Sequence, residues 1–161
     1  MSIYDTYSKA SELDFVNPRR AVIDFSLLAI IGYLFLAFLN FGEVKYLIKL
    51  PFPFYVVFIL SLLRKRFAYS AAIGVFIGFT LMSLLNSSIL VSLNEWALFF
   101  RTGSSLLFFD LSHAPLLLIS TGLAINAYKM IRKTGLFRRE VKMHALSISA
   151  VLVYYFYLMF F

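Results

Sequence analysis

A chain of 161 residues that is 61% hydrophobic, 19% aromatic and only 14% charged cannot cover a soluble globule of its size with polar surface. Its net charge of +7 is confined to short runs between long apolar segments, which argues against a nucleic-acid interface and for membrane-flanking loops. No cysteine is present, which excludes disulfide relays, thiolate metal sites, thioether-linked haem and cysteine nucleophiles.

The expected fold is all-α: a polytopic integral membrane protein of five transmembrane helices, multi-pass in the cell membrane. Residues 1–20 read as a cytoplasmic amino-terminal arm. Asp5, Glu12 and Asp14, with no basic start, set this arm apart from a cleavable signal peptide. Asn17 and Pro18 predict a helix start, with Asn17 as the cap and Pro18 in the first turn. Residues 21–161 then form one transmembrane domain with spans at about 21–41, 44–63, 67–93, 103–128 and 143–161, since a bilayer core of about 30 Å needs about 20 helical residues.

The second span is the awkward one. Pro51 to Leu63 is too short to cross, so the helix is expected to begin near Val44 and to carry Lys45 and Lys49, which would snorkel to the outer interface. Pro51 and Pro53 should kink its upper turn, because each lacks a backbone donor. The tight connection at Arg64, Lys65 and Arg66 predicts an antiparallel hairpin with the third span, which is long enough to tilt.

Sidedness follows from the cations. Lys9, Arg19 and Arg20, then Arg64, Lys65 and Arg66, then Lys129, Arg132, Lys133, Arg138, Arg139 and Lys142 occupy alternate connections, leaving Lys45, Lys49 and Arg101 for the others. Positive loops stay cytoplasmic, so the amino end is expected inside and the carboxyl end outside. The run Tyr154, Tyr155, Phe156, Tyr157, Phe160 and Phe161 would then form an outer aromatic belt. A re-entrant second segment would separate the cluster at Arg64 from that at Lys129, which disfavours it. The basic rims also suit anionic lipid headgroups.

Small residues recur every fourth position at Ser70, Gly74 and Gly78, the pattern of a close helix-packing face, with a weaker echo at Ala145 and Ser149. Among the ionisable groups, Asp24 lies one turn from Arg20 and reads as an interfacial ion pair, and His144 as an interfacial side chain. Asp110 and His113 share a helical face deep in the fourth span. Counted at 1.5 Å per residue, His113 falls about 24 Å and Asp110 about 28 Å above the inner boundary, matching Ser83 and Asn86 on the third span. Ser83, Asn86 and Ser87 are expected on one face. A facing polar group built from Asp110, His113, Asn86 and Ser83, loosened by Pro115 and guarded by Arg101, would either fix helix register or serve as a proton or ligand station.

His144 lies only about 3 Å above its boundary, so one chain cannot bring both histidines to a single haem iron. Haem shared with a partner chain is left open, and no resident cofactor, metal site or catalytic residue is expected. There is no P-loop, G-x-S-x-G, H-E-x-x-H or paired-carboxylate signature, which weighs against catalysis by this chain alone. The expected role is a small non-catalytic subunit packing in a larger membrane complex, with other membrane subunits and lipid as partners and a respiratory or other energy-converting assembly (quinol or terminal oxidase type) as host. The alternative is a small homo-oligomeric channel or proton-coupled transporter using Asp110 and His113.

Overall fold

The computed structural model describes residues 17–39, 48–103, 108–135 and 140–160; of residues 39, 88–89 and 108–112 it describes the backbone. The amino-terminal arm up to residue 16, Lys45, Arg138, Arg139 and Phe161 lie outside the described residues. The described chain is all helical: α1 (Pro18–Leu39), α2 (Phe52–Leu62), α3 (Ala68–Leu85), α4 (Ser88–Thr102), α5 (Phe108–Thr134) and α6 (Val141–Phe160). Four of these, α1, α3, α5 and α6, are long and apolar enough to cross a membrane.

Helix α1 starts where its cap dictates. The Asn17 side-chain oxygen accepts the Arg19 N–H at 3.1 Å and its carbonyl accepts the Ala21 N–H at 3.0 Å, while Pro18 has no donor to leave unpaired. Val22, Ala29, Tyr33 and Leu36 are buried along one face, and Ile31, Leu34, Phe35 and Phe38 are exposed on the other. Both faces are apolar, as expected of a helix that meets protein on one side and hydrocarbon on the other.

Two helix pairs define the bundle. Helices α1 and α5 run antiparallel: Phe25 lies over Gly122, and Leu116 lies beside Gly32. A Cβ on Gly122 would sit 2.7 Å from the Phe25 ring, so only glycine allows this approach. Helices α3 and α6 run parallel, with Ser70 meeting His144, Gly74 meeting Ile148 and Val151, and Gly78 meeting Tyr155. Helix α3 is the hub, packed against α2, α4, α5 and α6, and α6 leans chiefly on α3.

The basic connections converge at one end. One Arg19 guanidinium nitrogen donates to the carbonyls of Ser61 and Leu62 at 3.3 and 3.5 Å, adding a second donor to the Ser61 carbonyl, which also accepts the Arg64 N–H, and engaging the Leu62 carbonyl in the last turn of α2. Arg66 bonds Glu140 at 2.6 Å and ties the α2–α3 turn to the start of α6. Because α3 and α6 both start here and α5 ends here, the Arg19, Arg64 and Lys129 clusters share one pole. Arg64 itself closes the α2–α3 turn in the left-handed region (φ 55°), a conformation that costs a non-glycine residue roughly 1 kcal/mol.

Three expected spans are corrected. Of the second, expected over 44–63, residues 44–47 lie outside the described residues, and α2 itself has 11 residues and is about 16 Å long, too short alone to cross a 30 Å core. Pro51 and Pro53 stand at the start of α2, where a missing donor costs nothing, and the Phe54 and Tyr55 N–H groups both reach the Pro51 carbonyl. Short as it is, α2 returns the chain to the basic pole, so its length does not separate the cationic clusters. The third span, expected to run unbroken over 67–93, breaks at Asn86 and Ser87, with Ser87 at φ 55°. Residues 88–102, expected in part as a loop, form α4. The fourth, described over Phe108–Thr134, continues past 128 and is about 40 Å long, and Gly103 caps the end of α4 instead of opening this span.

Candidate functional site

Polar side chains inside the bundle fall into three groups, and the first serves its own helix. Ser26 donates to the Val22 carbonyl at 2.7 Å, Thr121 to Leu117 at 2.7 Å, and Asn126 to Gly122 at 2.8 Å. Such back-bonding satisfies a hydroxyl or amide without a second helix, so these residues add no interhelical chemistry.

A second group stitches helices together. Ser70 and His144 are both fully buried, and the Ser70 hydroxyl bonds His144 Nδ1 between α3 and α6. His144 is therefore a packing residue of the α3–α6 seam, not the interfacial side chain its closeness to Lys142 suggested. Parallel packing through Gly74 and Gly78 draws α6 close enough for this bond to form. Beside it, Ser147, one turn further along α6, donates to the Phe67 carbonyl at the start of α3 at 3.4 Å. On the other side of α3, the Ser92 hydroxyl on α4 accepts the Ala114 N–H at 3.1 Å, next to Pro115 inside α5. A side chain from α4 thus enters the backbone of α5 where the proline disturbs its ladder.

The third group lies around the α3–α5 contact. His113 stacks on Phe79 with ring centroids 6.3 Å apart and planes 18° apart, placing it about one turn lower on α3 than Ser83. Ser83, one turn above Phe79 on the same helix, is fully buried, and its hydroxyl has no hydrogen-bond partner among the described residues. Ser83 and His113 thus belong to one helix contact. Asn86 does not share it: it ends α3 as an exposed cap residue, and the turn through Ser87 removes both from the Ser83 face. The Asp110 side chain lies outside the described residues, although its backbone occupies the first turn of α5. Arg101 is exposed in the last turn of α4, where its charge complements the helix dipole.

The small-residue stripe Ser70, Gly74 and Gly78 faces α6 within the chain. A Cβ on Gly78 would overlap the Tyr155 ring, and one on Gly74 would lie 3.2 Å from the Ile148 backbone. Tyr155 consequently leaves the expected outer belt: it is buried beneath Gly78, while Phe156, Tyr157 and Phe160 stay exposed and Tyr154 donates to the Lys49 carbonyl at 2.7 Å. Asp24 and Arg20 stand 3.9 Å apart, both exposed, an ion pair of little energetic weight.

Ser92, Glu140 and the inward turn of Tyr155 were not foreseen. Ser92 gives no local signal, since a lone serine on a helix is ordinary until its neighbour is known. Tyr155 carries no local signal either, because a small-residue stripe such as Gly74 and Gly78 accepts a close backbone as readily as a large side chain. Among the described residues no group of three His, Cys, Asp or Glu side chains could hold a metal ion. No family model matches this chain, and neither a curated protein nor a solved structure matches it.

Proposed function

We propose that this chain is a multi-pass protein of the cell membrane, amino end inside, that acts as a small non-catalytic subunit by packing its bare helix faces against other membrane helices. The observation that carries this reading is the one-sided attachment of α6. That helix is held chiefly through α3, and Leu146, Val153, Phe156, Tyr157 and Phe160 are exposed along the rest of its surface. Val153, Phe156, Tyr157 and Phe160 line an open apolar depression on this face, which can meet side chains of another helix. Hydrocarbon supplies no force that pulls helices together, so shape is what such a depression offers a partner. A respiratory or other energy-converting complex is the host this reading favours, by analogy with the small aromatic subunits such assemblies carry.

In this topology the basic pole lies in the cytoplasm. Helix α2 returns the chain with a half-length helix whose ends are already satisfied: prolines remove donors at its start, and Arg19 donates to carbonyls at its end. The Trp96, Phe99 and Phe100 rings cluster on α4 with centroid separations of 5.5–6.0 Å, an aromatic group suited to the outer interface.

The test is photo-crosslinking in native membranes from a probe at Phe156, compared with one at Leu118 on the exposed face of α5. The expected result is a crosslink to a distinct membrane protein of fixed mass from Phe156 and lipid adducts from Leu118. Lipid adducts alone from both positions would contradict the subunit reading. A self-crosslink from Phe156 would instead favour the homo-oligomeric channel or transporter. One observation speaks for that second reading: the buried Ser83 hydroxyl, without a hydrogen-bond partner among the described residues, at the contact of α3 with α5, the helix that carries His113 and Asp110.

A further inference from the structure

Arg64 occupies the position after α2 at which a left-handed conformation closes the helix, and glycine is the usual residue there. The Lys65 N–H reaches back to the Leu60 carbonyl and the Arg64 N–H to the Ser61 carbonyl, so the turn is a closed helix end and not a loose loop. A strained backbone conformation has thus been kept together with a full positive charge. Lys65 beside it is exposed, and the Arg66–Glu140 bond brings the start of α6, with exposed Lys142, to the same corner. Glu140 is the acid there, and Arg66 engages it. Arg64, Lys65 and Lys142 remain as exposed cations.

Directly above this corner runs an exposed apolar stripe on one face of α2: Phe52, Ile59, Leu62 and Leu63. From Phe52 to Leu63 the stripe is about 16 Å long, close to half of a 30 Å hydrocarbon core, the depth of one leaflet. Cations at the foot of a leaflet-deep apolar stripe match a lipid carrying a negative headgroup and acyl chains. Neither a soluble anion nor an apolar helix would use both parts.

We propose that the α2–α3 turn and the start of α6 form a binding site for an anionic phospholipid of the cytoplasmic leaflet. Its phosphate is held by Arg64, Lys65 and Lys142, and one acyl chain lies along the α2 stripe. The proposal rests on the membrane reading given above.

The experiment is reconstitution of the full chain into phosphatidylcholine nanodiscs containing a minor fraction of phosphatidylglycerol, followed by native mass spectrometry of the retained lipid. The wild-type chain should retain phosphatidylglycerol above its bulk fraction. The Arg64→Gly/Lys65→Gln variant should lose about fivefold of that preference per cation removed. Arg64→Gly relieves the left-handed strain, so loss of folding does not explain a loss of lipid. A Lys129→Gln/Arg132→Gln variant, with the same charge removed from the end of α5, should retain the preference. Equal retention by the turn variant, or equal loss in both variants, overturns the site. Excess inorganic phosphate should not displace the lipid, and displacement would mean that the corner binds phosphate without the acyl chain. Failure of the membrane reading would show separately, as a chain that stays in detergent-free solution and enters no nanodisc.

Discussion

Helices α3 and α6 differ by two residues in length and are of similar hydropathy, yet 61% of the apolar window of α3 is buried against 11% for α6. Composition does not separate them. The buried face of α3 carries small side chains, Ala68, Ser70, Ala71, Ala72, Gly74 and Gly78, which let neighbours close in from several sides. Helix α6 supplies the large partner to that stripe, Tyr155 and Val151, turns Tyr154 to the Lys49 carbonyl and the Phe52 ring, and leaves Phe156, Tyr157 and Phe160 exposed. A hydrophobic helix in this fold is therefore central or peripheral according to where its small residues fall, and the peripheral one is left to meet lipid or another protein.

Enlarging the stripe should break this contrast most severely. Gly78→Leu would drive side-chain atoms into Tyr155, and overpacking of this kind costs about 3 kcal/mol. Thermal unfolding in detergent should show that loss, and limited proteolysis should release α6 while the α1–α5 pair stays resistant. Ser92→Ala comes next. It deprives the Ala114 N–H of its acceptor beside Pro115, at a cost of about 1–2 kcal/mol, and should raise hydrogen exchange at the upper end of α5 without disturbing α6. Ser70→Ala should cost about 1 kcal/mol by removing a buried hydrogen bond across the α3–α6 seam, seen as a modest drop in melting temperature. Smallest of all, Arg20→Gln should change stability by less than about 0.5 kcal/mol, because its ion pair with Asp24 is long and exposed.

Much of the fold was legible because membrane helices write their length and their packing faces into the chain. Asn17 and Pro18 mark the start of α1, and the spacing of Ser70, Gly74 and Gly78 marks a packing face. The alternation of cations anticipates a single basic pole. The errors came from assuming that each apolar run makes one full-length helix. Pro51 and Pro53 are compatible with a kink or with a start, and the choice depends on whether the upstream backbone finds partners, which a local pattern does not show. Asn86 and Ser87 carry no strong breaker signal, yet the turn there divides an apolar stretch long enough to continue.

The candidate polar site was legible only in part. Counting residues brought Ser83 and His113 to one helix contact, but rise alone takes no account of tilt, and the His113 ring stacks on Phe79, one turn below Ser83. Asn86 left the group for the reason that α3 ended: a cap residue turns outward. His144 shows the converse, since its place near a basic turn says little about the face it occupies. Its burial follows from the parallel register of α3 and α6.

The central claim is a membrane-embedded bundle whose cationic turns share one face, and the cysteine-free sequence permits a direct test. Single cysteines at Lys65, Lys133 and Thr102 should be probed with a membrane-impermeant thiol reagent in sealed, oriented vesicles. Lys65→Cys and Lys133→Cys should react from the same compartment and Thr102→Cys from the other. Reaction of the Lys65 and Lys133 positions from opposite compartments would contradict that claim.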